Sequence, residues 1–139
     1  LQGQYFNNMT LTGTAVLQRT EAVNFNWGSG APGSGVNKDK FSVRWSGTVE
    51  AASSGNFQFQ TNTDDGVRVW VNGVQIINNW TNHSATTNTS GTVALSAGTH
   101  YTIVMEFYEN GGQAVAQLRW KTPGTTSYVV IPASRLYTN

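Results

Sequence analysis

The chain has no cysteine and few charges: Asp, Glu, Lys and Arg make up 11% of its 139 residues. Without cysteine, disulfides and thiolate metal sites are excluded, so stability must come from packing, with or without a bound ion. The charge content is far below the roughly 25% usual for soluble domains. Thr, Asn, Ser, Gly and Gln supply the polarity instead, a composition common among secreted bacterial modules with long strands and polar turns. Eight scattered Lys and Arg nearly offset seven Asp and Glu, leaving a net charge of +1. No basic stripe is present, which excludes the electrostatic footprint of a nucleic-acid binder. No apolar run is long enough to cross a membrane, so membrane insertion is not expected. The length suits one domain with a real core and is short for two. The sequence opens at Leu1, without Met or a signal peptide. Residues 1–139 therefore read as one domain excised from a larger secreted protein, with an extracellular or bacterial cell-surface location.

What the sequence does contain is period-two alternation. Phe41, Val43 and Trp45 share one face, with Ser42 and Arg44 on the other. Phe57 and Phe59 alternate with glutamines, and Val67, Val69 and Val71 alternate with Arg68 and Trp70. Asn72-Gly73 follows as a hairpin signal, because a type I′ turn needs two residues that accept positive φ. Val74 to Ile77 is the return strand. Tyr101, Ile103, Met105 and Phe107 form another face, as do Ala114, Ala116, Leu118 and Trp120. Glu109 to Gly112, Ser96 to Thr99 and Pro123-Gly124 read as turns, and a last strand runs from Tyr128 to Ile131. Trp27 to Gly35 and Asn78 to Ser90 are the least regular stretches, the first a loop within the domain. Many short strands with one-sided alternation predict an all-β fold, two antiparallel sheets packed as a sandwich.

Groups for catalysis are scarce. Ser-His-Asp chemistry would need His83 or His100 beside a serine and an acid, and no nucleophile-elbow pattern is present. A glycosidase needs two carboxyls roughly 5 to 9 Å apart across the scissile bond, and the adjacent Asp64 and Asp65 are too similarly placed. Glu106 reads as a partly buried structural acid paired with an arginine. The domain is therefore expected not to be an enzyme.

Thr63-Asp-Asp-Gly66 is the most informative stretch. Adjacent carboxylates repel each other, and in a regular strand they would point to opposite faces. A surface turn accommodates this, and so does a cation. Calcium fits such a site because it accepts six to eight oxygens in loose geometry. For both side chains to meet one ion, the backbone must leave strand geometry, for which a cis peptide is one route. Asn110-Gly111-Gly112 is a second oxygen-rich loop, or simply a hairpin turn.

Ordered motifs now accumulate along the chain. They include Leu1-Gln-Gly-Gln-Tyr-Phe6, Val23-Asn-Phe-Asn-Trp-Gly28, Asp39-Lys-Phe-Ser-Val-Arg-Trp-Ser-Gly47, Gly55-Asn-Phe-Gln-Phe59 and Asp64-Asp-Gly-Val-Arg-Val-Trp70. Asn79-Trp80, Glu106-Phe-Tyr-Glu-Asn-Gly-Gly112 and Ile131-Pro-Ala-Ser-Arg-Leu136 continue the series. Together they resemble the PA14 domain family, named after the anthrax protective antigen and including yeast flocculins and adhesins. The resemblance covers essentially the whole chain and implies a β-sandwich. In the family's lectin members two aspartates joined by a cis peptide bind calcium, with an asparagine and backbone carbonyls from a neighbouring loop, and sugar hydroxyls complete the shell. Carried over, it implies Ca2+ held by Asp64, Asp65 and Asn110, with Gly112 and Ala114 as carbonyl donors and Glu109 or Gln113 as substitutes. Asp64, Asp65, Asn110 and Gln113 would face a carbohydrate ligand, with Trp80, Tyr108 and Trp27 as candidate aromatic platforms. Core packing or edge support is the competing role for each of these aromatics, and the preferred one for Trp45, Trp70 and Trp120. The implied function is a calcium-dependent lectin-like module anchoring a secreted enzyme or adhesin to glycan, monomeric in isolation. The alternative is a non-catalytic structural or protein-interaction module of a larger extracellular protein.

Overall fold

The computed structural model describes residues 1–138. The strands are β1 (Gln2–Phe6), β2 (Leu17–Thr20), β3 (Asn24–Gly28), β4 (Phe41–Glu50), β5 (Gly55–Asp64) and β6 (Val67–Val71). They continue with β7 (Val74–Asn79), β8 (Thr86–Leu95), β9 (His100–Glu109), β10 (Ala114–Lys121), β11 (Val129–Val130) and β12 (Leu136–Tyr137). One sheet runs β2-β1-β4-β9-β6-β7, with β12 also paired to β4. The other runs β11-β10-β5-β8, with β3 also paired to β10. All pairings are antiparallel, so the expected two-sheet sandwich is present.

Alternation decides which side chains fill the space between the sheets. Phe41, Val43, Trp45 and Val49 of β4 meet Ile103, Met105 and Phe107 of β9 on one inner face. Phe57 and Phe59 of β5 and Leu118 and Trp120 of β10 supply the other. Each fully buried side chain of this size contributes about 1.5–3 kcal/mol. Along β5 the inner column turns polar, from Phe57 and Phe59 to Thr61 and Thr63, all buried. The inner column of β5 is therefore apolar toward one end of the sandwich and polar toward the other.

The chain changes sheets at both ends of the sandwich, and four of these crossings lie at the end where the β5 column is polar. The connections β3 to β4, β5 to β6, β7 to β8 and β9 to β10 each pass from one sheet to the other. The register brings them together: Phe41 pairs with Glu109, Val67 with Phe107 and with Asn79, Val115 with Asp64, Thr86 with Thr63, and Gly28 with Ala114. Residues far apart in sequence thus meet at one rim.

Three local expectations need correction. Asn78 to Ser90 is not one irregular stretch, because β7 runs to Asn79 and β8 starts at Thr86. β8 lies at a sheet edge and is largely exposed, so it lacks an apolar face to mark it. Trp27-Gly28 belongs to β3 rather than to the following loop, and Glu109 closes β9 rather than opening its turn. In β6 the alternation holds: Val67, Val69 and Val71 occupy the inner face, and Trp70 lies half-buried beside Arg68 on the other. Glu106 is the expected structural acid, held by Arg44 at 2.9 Å and Arg68 at 2.8 Å.

Candidate metal centre

Asp64 is the last residue of β5, and Asp65-Gly66 makes the crossing to β6. The Asp64–Asp65 peptide is cis, as the family resemblance implied. Backbone hydrogen bonds hold the crossing against β9: Asp65 N–H donates to the Tyr108 carbonyl at 3.1 Å, and Tyr108 N–H to the Gly66 carbonyl at 3.1 Å. Gly66 leaves room for the Tyr108 ring, since a Cβ there would sit 2.1 Å from a ring carbon.

The third carboxylate comes from Glu109. Pairing with Phe41 turns its side chain to the inner face, where it is fully buried. Asp64, Asp65 and Glu109 offer oxygens that all lie within 4.8 Å of one another. Among the described residues, neither of the two buried Glu109 oxygens has a hydrogen-bonding partner. Burial, followed by the nearby Asp65, Asp64 and Asp39 carboxyls, pushes the Glu109 pKa up to about 9. Burial and then Asp65 raise that of Asp64. Asp65 is better supplied: Oδ1 accepts from the His83 backbone N–H at 3.0 Å, and Oδ2 from that of Asn110 at 2.8 Å.

This arrangement fits a hard divalent cation. Calcium binds oxygens at about 2.3–2.6 Å, so ligands on opposite sides of one ion lie up to about 5 Å apart. The observed spacing falls within that span. The donors are carboxylates, which suit calcium or magnesium rather than soft metals. A buried carboxylate without a partner is costly, and a cation among the three removes that cost.

The second-loop residues are distributed unevenly. Asn110 Oδ1 accepts from Lys40 Nζ at 2.7 Å, while its backbone N–H is the donor to Asp65 Oδ2. Gly112 has φ +82° and is exposed, as is Gln113, whereas Ala114 is buried at the start of β10. Tyr108 is buried, with its hydroxyl donating to Asn82 Oδ1 at 2.8 Å. Trp80 is half-buried, edge-on to Tyr108 at 4.7 Å, and carries the Arg68 guanidinium 3.8 Å above its ring. Trp27 stacks on Phe25 at 4.7 Å and packs against the core. Among the described residues neither histidine joins a Ser-His-Asp arrangement: His83 Nδ1 bonds the Ser84 carbonyl, and His100 Nε2 lies 3.6 Å from Glu50.

Fold and site define a class: an antiparallel β-sandwich module whose inter-sheet connections gather oxygen donors at one end. The chain belongs to the PA14 domain family, whose model matches residues 1–134. It is 41% identical over 137 residues to the anti-sigma-I factor RsgI3 of Acetivibrio thermocellus, covering 99% of this chain and 21% of that protein. A solved anti-sigma factor domain-containing protein superposes with a TM-score of 0.93 at 40% identity, over 99% of this chain and 48% of the other. The chain thus spans about a fifth of one relative and about half of the other. A PA14 sugar-binding domain from an RTX adhesin shares the fold with a TM-score of 0.74 at 17% identity, over 99% and 97% of the two chains.

Proposed function

We propose that the domain is a non-catalytic recognition module of a larger protein, and that Asp64, Asp65 and Glu109 hold a calcium ion at its ligand-facing end. The module reading is supported by the anti-sigma factor relatives, of which a domain of this length is only a part. The observation that carries the cation reading is Glu109, a fully buried carboxylate without a partner beside two others. Scarcity of acid-base groups and the absence of an assembled triad among the described residues support a role without turnover.

A finer reading makes carbohydrate the ligand. Calcium with open positions accepts hydroxyl oxygens in place of water. The exposed Gly112 and Gln113 lie on the connection beside the cluster, where carbonyl and amide groups can meet a sugar. The sugar-binding adhesin domain supports this at the level of fold. A secreted or surface location belongs to the same proposal. The anti-sigma factor relatives favour a second reading, in which the same end docks a protein.

A glycan array probed with calcium and with EDTA decides between them. Binding that requires calcium and disappears in Asp64→Ala and Asp65→Asn supports the sugar reading. Calcium binding without any calcium-dependent glycan selects the protein-docking one.

A further inference from the structure

The β4–β9 ladder ends at the pair Phe41 and Glu109, and the chain before it continues along the same rim. Lys40 there adopts φ 56°, a left-handed turn that is uncommon outside glycine. Its ammonium donates to Asn110 Oδ1 at 2.7 Å, so residues 39–40 lie against the end of β9. Asp39, half-buried, precedes Lys40 on this connection and brings a further carboxyl beside that of Glu109, from another connection than Asp64 and Asp65. Carboxylates gathered at one rim repel unless a cation lies among them.

We propose that Asp39 is a fourth carboxylate of this centre, a positioning residue acting on the cation through Glu109, and that cation binding thereby fastens the β3–β4 connection to the sandwich. The inference rests on the cation reading above. Upstream tethers hold only the middle of that connection: Arg19 donates to the Pro32 carbonyl at 3.2 Å, and Asn7 bonds Gly35 at 2.9 Å and Asn37 at 2.8 Å. The stretch nearest the site depends on Lys40 and Asp39. Without the ion, four carboxyls from three connections oppose one another. With it, Glu109 is drawn to the cation as a carboxylate, and its outer side stays oriented by Asp39 through a bridging water.

The test combines calorimetric calcium titration with hydrogen exchange on the 139-residue chain as wild type, Asp39→Asn and Asp39→Glu. Asp39→Asn is expected to weaken calcium binding on the order of tenfold, the usual effect of losing an outer-sphere partner. Saturating calcium should slow exchange across residues 29–40 in wild type and Asp39→Glu, but not in Asp39→Asn. Wild-type affinity and wild-type loop protection in Asp39→Asn would overturn this inference and leave the cation reading standing. No calcium binding by the wild type would overturn both.

Discussion

At the scale of the residue, Glu109 makes the account testable in two opposite directions. Burial without a partner makes it a liability in the ion-free protein and an asset once a cation arrives. At pH 8 in EDTA, Glu109→Gln is expected to raise the thermal midpoint by about 3–10 °C, because it removes a poorly satisfied carboxyl. The same substitution should abolish the calcium-induced rise, and differential scanning calorimetry reads both. Gly66 carries a steric prediction. A methyl there meets the buried Tyr108 ring, so Gly66→Ala should cost about 1–3 kcal/mol in urea unfolding. Asp64 and Asp65 were legible because their adjacency is itself an electrostatic anomaly. Glu109 stood in the sequence only as a possible substitute for Asn110, and Asp39 only within a motif. Strand register brings these carboxyls together, and spacing along the chain does not show it.

At the scale of the element, β4, β6, β9 and β10 were readable because each buries one face, so apolar residues alternate with polar ones. β5 was readable at Phe57 and Phe59, then lost its apolar signal at Thr61 and Thr63 as the inner face turned polar. β8 was not readable, since its edge position leaves Thr87, Thr89 and Thr92 exposed along it. One of its residues has a clear structural task. At the register shift between β5 and β8, the buried Phe59 N–H donates to Ser90 Oγ at 2.9 Å. Ser90→Ala should leave that donor unpaired and cost about 1–3 kcal/mol. Native-state hydrogen exchange should show the Phe59 amide opening faster, while calcium affinity stays unchanged.

For the whole molecule, the acidic rim links stability, pH and ion. With Glu109 raised from the ordinary 4.5 to about 9, the ion-free folded state holds a proton that the unfolded chain has released across that interval. Fewer protons on the unfolded state mean that stability falls as pH rises. In EDTA the thermal midpoint should therefore decline between about pH 5 and 9. Calcium, which binds the deprotonated carboxylates, should bind more tightly toward the upper end and flatten the decline. At a hundredfold excess over its Kd, calcium should add about 2.7 kcal/mol to folding stability. The sandwich itself could be foreseen from alternation and turns. The gathering of four connections at one rim could not, because it follows from which strands pair.

The most direct measurement is calorimetric titration of calcium into the EDTA-treated, dialysed domain, in wild type, Asp65→Asn and Glu109→Gln. The account predicts saturable binding of one ion per wild-type chain and its loss in both variants. No binding to the wild type, or undiminished binding when both carboxylates have been neutralised in turn, would contradict it.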